Sequence, residues 1–151
     1  MQYREFGNTG LKVSVIGLGC GLLGHATKTK QPFEIVRKSI EYGVNYFDTA
    51  YAYADSEVKL SLGLGDDRKK VYISSKTMAK TKEEAWKNIR ESLQRLKTDY
   101  IDNYHLHCLE NEKDIGVRLG SGGALEALKE AHDQGLIKHI GCSSHQSRLL
   151  I

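Results

Sequence analysis

Four well-separated side chains, Asp48, Tyr53, Lys76 and His107, form a set that could move a proton. A tyrosine titrates near pH 10, so it can act as acid and conjugate base near neutrality only beside a positive charge that favours its phenolate. Lys76 can supply that charge. A buried ammonium in turn needs a counter-ion, since an isolated one tends to lose its proton, and Asp48 is the natural partner. His107 would complete the set by orienting a substrate oxygen. A tyrosine donor in this setting suits reduction of a carbonyl, in which the developing alkoxide must be protonated. Taken singly, each has a plainer account: Asp48 as a cap or loop acid, Tyr53 as packing, Lys76 as a solvated cation, His107 as a hydrogen-bonded core histidine. Their joint placement along the chain favours chemistry.

That placement follows from the elements. Residues 2–6 and 11–15 are strand-like runs about Gly7-Asn8-Thr9-Gly10, a good hairpin turn. Residues 14–21 predict a buried strand entering a glycine-rich loop, whose glycines suit close backbone packing better than phosphate binding. A helix is expected over 32–42, with Phe33, Val36 and Ile40 on one stripe and Gly43 as a left-handed stop. A strand over 44–48 ends at Asp48, and a weaker helix over 56–64 is expected to turn Val58 and Leu62 inward. A strand over 70–76 ends at Lys76. Thr81 and Glu84 form a capping box for a helix carrying Trp86, Ile89, Leu93 and Leu96, which stops near Lys97. A strand over 100–107 ends at His107, and a polar loop over 110–123 follows. Leu125, Leu128 and Ala131 mark a helix closed by Gly135, a strand spans 137–144, and 146–151 could begin one more helix.

A hairpin followed by five core strands alternating with four complete helices implies parallel strands joined by right-handed crossovers. Active sites in such folds lie at the carboxyl ends of the strands, where Asp48, Lys76, His107, Ser143 and Ser144 all fall. His105 should point the same way as His107, since strand side chains alternate with period two, and is expected to be a buried histidine bonded to a neighbour.

The chain has 151 residues, the size of one domain. Its 22 basic and 19 acidic residues are interspersed and leave a net charge of +3, which excludes the footprint of a nucleic-acid binder. Charges at Arg4 and Glu5 and the lack of any run of about 18 apolar residues argue against a signal peptide or membrane span, so a cytoplasmic location is expected. Cys20, Cys108 and Cys142 are odd in number and without CxxC spacing. They are expected to be reduced, small buried hydrophobes without metal or redox work.

The chain resembles the aldo-keto reductase superfamily of NADPH-linked (β/α)8-barrel oxidoreductases. The resemblance rests on Gly43-Val44-Asn45-Tyr46-Phe47-Asp48-Thr49-Ala50 with Tyr53 and Ser56-Glu57, on Ile73-Ser74-Ser75-Lys76, on Asp99-Tyr100-Ile101-Asp102 with His107, and on Gly135-Leu136-Ile137-Lys138-His139-Ile140-Gly141. It implies a catalytic tetrad of Asp48, Tyr53, Lys76 and His107 with Tyr53 the general acid, and cofactor contacts at Gly19, Cys20, Asp48, Ser143 and Ser144. Ser143-Ser144-His145 departs from the family's usual Ser-Asn, and Ser144 has less reach toward a nicotinamide carboxamide. With Tyr104-His105-Leu106-His107-Cys108-Leu109, it looks more like the branch whose longer members carry a C-terminal iron-sulfur domain. Family members usually place an aliphatic residue at the position of His105.

A (β/α)8 barrel typically takes about 250 residues. The resemblance therefore implies a single partial barrel domain over 1–151, an incomplete TIM-barrel α/β fold with an N-terminal hairpin, about five strands and four helices. Strands six to eight, with the segments that in relatives stack on the nicotinamide and bind the adenosine phosphates, would lie outside it. Its expected cofactor is NADPH, with NADH the alternative and none bound if the cleft is lost. Its expected partners are a small carbonyl substrate and, across open barrel edges, a second copy. The competing expectation is a non-catalytic partial barrel that binds, scaffolds or self-associates.

Overall fold

The computed structural model describes residues 1–24 and 31–146. A two-stranded antiparallel hairpin, β1 (Tyr3–Glu5) and β2 (Lys12–Ser14), precedes a five-stranded sheet: β3 (Leu18–Gly19), β4 (Tyr46–Asp48), β5 (Tyr72–Thr77), β6 (Ile101–Leu106) and β7 (Ile137–Cys142). The helices are α1 (Gln31–Glu41), α2 (Ser56–Leu64), α3 (Lys82–Leu96), α4 (Glu112–Leu119) and α5 (Ala124–Asp133). The sheet is wholly parallel and its strands lie side by side in chain order. A doubly wound sheet reverses its order at a switch point, whereas winding in one direction is the arrangement of a barrel. The helices pack in the same succession, α1 on α2, α2 on α3, α3 on α5, as one layer over one face of the sheet. Among the described residues, β3 and β7 each keep an unpaired edge.

The core lies between sheet and helices. Phe47 on β4, Ile73 on β5 and Tyr104 and Leu106 on β6 point outward onto the helix layer of Val36, Leu60, Ile89, Leu96 and Leu128, all buried, while Ile101 and Ile137, paired in register, fill the inner side at the start of their strands. Other inward positions are polar: Tyr46, Asp48, Ser74, Lys76, Asn103 and His105. Helix ends follow the expected chemistry at the two clearest places. Gly43 closes α1 at φ 84°. The Thr81 hydroxyl accepts from Glu84 N–H at 3.3 Å to open α3, while the Glu84 carboxylate accepts from Lys80 N–H, one residue before the cap.

Several expectations are corrected. The strand over 14–21 shortens to two residues, with Val15 45% and Ile16 61% exposed, because the Ser14 hydroxyl donates to Ile16 O and bends the chain before it reaches the sheet. In α2, Val58 and Leu62 face outward, and the buried side consists of Glu57, Leu60, Ser61 and Leu64. Two contacts set that rotation: Glu57 has a buried partner in Ser75, and Gly63 lies where a Cβ would strike Val36 on α1. The polar stretch 110–123 contains a fifth helix, α4, capped by Asn111, whose side chain accepts from Asp114 N–H at 2.9 Å. Its inward residue is Arg118 rather than an apolar one, so no hydrophobic stripe marks it. Of the cysteines only Cys20 is buried; Cys142 is exposed because its outward position on β7 carries no helix. The expected helix over 146–151 lies outside the described residues beyond Gln146. No described helix is long and apolar enough to cross a membrane.

Candidate active site

Asp48, Lys76 and His107 stand at or just past the carboxyl ends of β4, β5 and β6, and the loop after β4 brings Tyr53 over them. That loop is held in register by the sheet: Thr49 N–H donates to Ser74 O at 2.8 Å and Tyr51 N–H to Lys76 O at 3.0 Å, extending the parallel ladder past Asp48. Ser56 ties the far end back, donating to Cys20 O at 2.7 Å and sharing a 2.8 Å hydrogen bond with Thr49 Oγ1.

Gly19, Gly21 and Gly24 fall in a G-x-G-x-x-G spacing, which in a dinucleotide fold opens a helix beneath a pyrophosphate. Here the run closes in a single 3-10 turn, Gly21–Leu23. A Cβ on Gly24 would collide with the Tyr53 carbonyl, and one on Gly21 would sit 3.6 Å from the Tyr53 ring. Gly24 therefore makes room for the Tyr53 loop, whereas a side chain at Gly21 would make only ordinary contact with the ring.

The four chemical groups converge. Lys76 Nζ donates to Asp48 Oδ1 at 2.5 Å and to Thr49 O at 2.7 Å, and lies 5.3 Å from the Tyr53 ring centroid. Tyr53 Oη is 3.5 Å from His107 Nε2, with the two rings edge to face at 82°. His107 N–H is anchored on Thr77 O at 2.8 Å, and its buried Nδ1 has no hydrogen-bond partner.

The electrostatics correct one expectation. Tyr53 was expected to have its phenolate favoured by Lys76; instead its pKa is raised above 10, by burial first and then by the charges of Asp48 and Cys108. Asp48 sits directly on the ammonium and offsets its pull on the phenol. His107 is pushed down from 6.5 to about 4, chiefly by burial and then by Lys76, so the imidazole is neutral at pH 7. His105 is also lowered, by burial and then by Lys76. It pairs in register with Lys76 on one side and Gly141 on the other, where a Cβ would touch its ring. No hydrogen bond engages its imidazole among the described residues, contrary to expectation.

The remaining predicted contacts ring the same rim. Gly19 has nothing within 4 Å of its Cβ position, so the space before it is open. Cys20 is fully buried, its N–H donates to Asp48 O, and burial pushes its thiol up to about 12. Ser143 Oγ accepts from Cys108 N–H at 3.1 Å, and Ser144 Oγ donates to Leu109 O at 2.6 Å. Arg118 and Arg95 were missed at the sequence level. Arg118 bonds to backbone carbonyls, and Arg95 lies against Tyr51 and Glu57 on the far side of β5.

A singly wound parallel sheet with a tyrosine, lysine, aspartate and histidine gathered at its carboxyl rim places the chain among the barrel-type α/β proteins. The sequence profile of the aldo/keto reductase family matches residues 15–150, and the chain belongs to that family. An uncharacterised oxidoreductase of Bacillus subtilis, YqkF, is 32% identical over 158 aligned positions, covering 95% of this chain and 49% of the relative. L-galactose dehydrogenase of Arabidopsis thaliana is 34% identical, covering 93% and 48%. The chain thus spans about half the length of these relatives. An aldo-keto reductase of Bacillus halodurans superposes with a TM-score of 0.84 at 28% identity, covering 99% of this chain and 52% of the other. One from Klebsiella pneumoniae in complex with NADPH gives 0.82 at 28% identity, covering 97% and 51%. The fold is accordingly an incomplete TIM barrel.

Proposed function

We propose that this chain carries the proton-transfer site of an NADPH-linked carbonyl reductase. The observation that carries it is the 3.5 Å approach of Tyr53 Oη to His107 Nε2, with the Lys76–Asp48 pair behind the phenol ring. A small carbonyl substrate would place its oxygen between Oη and Nε2. With its pKa raised, Tyr53 holds its proton at neutral pH and is in donor form. The unpartnered Nδ1 of His107 is least costly as the lone-pair nitrogen, which puts the imidazole proton on Nε2, where it can point at the same oxygen. When bound, NADPH supplies the hydride to the carbonyl carbon. Tyr53 then gives its proton to the developing alkoxide, and Lys76 is the cation nearest the resulting phenolate.

The residues fit the nicotinamide end of such a cofactor. The space before Gly19 is open, and Ser143 accepts from Cys108 N–H while its own proton is uncommitted among the described residues. Ser144 already donates to Leu109 O, so the carboxamide contact falls to Ser143. Three free thiols suit a reducing compartment, the cytoplasm. Among the described residues the outer edges of β3 and β7 are unpaired, which favours a second reading, a partial barrel that binds or self-associates without turnover.

Absorbance of NADPH, followed with the purified protein and a panel of small aldehydes and ketones, tests both. Turnover should appear and fall roughly 10²–10⁴-fold in Tyr53→Phe. Equal rates in the two proteins would remove Tyr53 from the chemistry. An absence of turnover, together with unchanged NADPH fluorescence on adding protein, would favour the binding reading.

A further inference from the structure

Arg118 is a guanidinium on a surface helix that is 98% buried, being 2% exposed, and its hydrogen bonds go to the ends of two strands of the site. Nη2 donates to Thr77 O at 2.7 Å, Nη1 to His107 O at 2.8 Å, and Nε to Ala79 O at 3.1 Å. Asp114, one turn earlier on α4, accepts from Nη1 at 3.3 Å and holds the group aimed inward. Thr77 directly follows Lys76, and His107 is itself in the tetrad. We propose that Arg118 is a positioning residue, a fork that sets the spacing between the Lys76 and His107 strand ends and thereby the distance from His107 to Tyr53. The proposal rests on the assignment of Asp48, Tyr53, Lys76 and His107 as the site.

The backbone beside His107 shows why a clamp is needed there. Cys108 has φ +54°, a left-handed conformation that costs a non-glycine residue on the order of 1 kcal/mol or more and persists only where its surroundings over-determine it. Those surroundings are complete. His107 N–H is held by Thr77 O, His107 O by Arg118, Cys108 N–H by Ser143 Oγ, Leu109 N–H by Ser143 O and Leu109 O by Ser144 Oγ. Within this set Arg118 alone joins the β5 end to the β6 end through a side chain, and Thr77 O accepts from both Arg118 and His107 N–H. A lysine could replace the charge but not the planar, three-pronged geometry. Besides Arg118, the charged and titratable groups acting on His107 are Lys76, Asp48, His145 and Tyr53.

The test needs neither cofactor nor turnover, so its outcome is separate from that of the reductase reading. In NMR spectra of the whole chain, the ring-to-ring NOE between Tyr53 and His107 and the His107 titration midpoint are compared in the parent and in Arg118→Lys, with His107→Asn for assignment. The positioning role expects the lysine variant, its charge retained, to lose the NOE and raise the midpoint from about 4 toward 6.5 as the ring leaves its buried position. A lowered melting temperature with NOE and midpoint both unchanged means an ordinary structural arginine and overturns the proposal. If Arg118→Lys does not fold, Asp114→Asn loosens the same guanidinium from α4, and the same pair of readouts decides: loss of the NOE supports the fork, retention rejects it.

Discussion

Strand β5 has two faces, and each meets an acid from the same stretch of chain. On the inner face Asp48, with its side chain 37% exposed, pairs directly with Lys76 beneath Tyr53. On the outer face Glu57, fully buried, accepts from Ser75 Oγ at 2.6 Å through one oxygen. Its other oxygen has no hydrogen bond and lies 3.6 Å from Arg95 Nη1. Burial raises the Glu57 pKa above its ordinary 4.5, against the lowering effects of Ser75 and Arg95. Asp48 meets a cation at the edge of solvent, where charge is affordable and useful for chemistry. Glu57 tethers α2 to the back of the strand and holds Ser75, the neighbour of Lys76, from behind. Two carboxylates nine residues apart thus differ in work because the strand between them is a wall between solvent and core.

The largest effect that would break this contrast is on turnover. Lys76→Met should lower carbonyl reduction roughly 10²–10³-fold by removing the cation nearest the phenolate, while costing about 1–2 kcal/mol in urea unfolding because the freed Asp48 can rehydrate. Glu57→Ala should do the reverse. It should cost about 2–4 kcal/mol, from the cavity and the unpaired Ser75 and Arg95, and leave the His107 NMR titration where it was. If Glu57→Ala proves neutral in stability, the outer face is not the structural one.

The two faces should also respond to pH with opposite sign. His107 is depressed to about 4 from 6.5, so its contribution to stability is complete above 6.5 and is lost as pH falls toward 4, where the unfolded imidazole takes up a proton that the folded one refuses. Glu57 is raised, so its contribution is complete below 4.5 and is lost as pH rises through its folded value. Chemical unfolding from pH 4 to 7.5 should therefore flatten at the acid end in His107→Asn, whereas Glu57→Gln should gain stability toward neutrality. The same slope in all three proteins would separate neither face. The smallest contrast lies along α2, where Leu60→Ala should cost about 2–5 kcal/mol and Leu62→Gln, on the exposed side, should stay within about 0.5 kcal/mol. Comparable losses would mean that the helix is rotated.

Much of the architecture was legible because it is written in local patterns. Period-two runs that stop at Asp48, Lys76 and His107, the Thr81 cap and the Gly43 and Gly135 stops each need only a few neighbouring residues to be recognised. They were enough to place Asp48, Lys76 and His107 at one rim of a parallel sheet with Tyr53 in the loop beside them, while the partial barrel came from the family resemblance. The α2 face was misassigned for the opposite reason: counting apolar residues favours Val58 and Leu62, and nothing local says that Glu57 has a partner waiting in Ser75. α4 escaped because its buried side chain is an arginine.

By itself, then, the sequence determined the alternation of strands and helices, the residues at the strand ends and the family to which they belong. Only the tertiary structure decided what those residues experience. The Tyr53 phenol is raised rather than lowered because burial and Asp48 outweigh a lysine that is already paired, a balance set by distances across three strands. The place of Arg118 was likewise hidden, because its acceptors at positions 77, 79 and 107 are backbone carbonyls, which every residue carries and no side-chain pattern reveals.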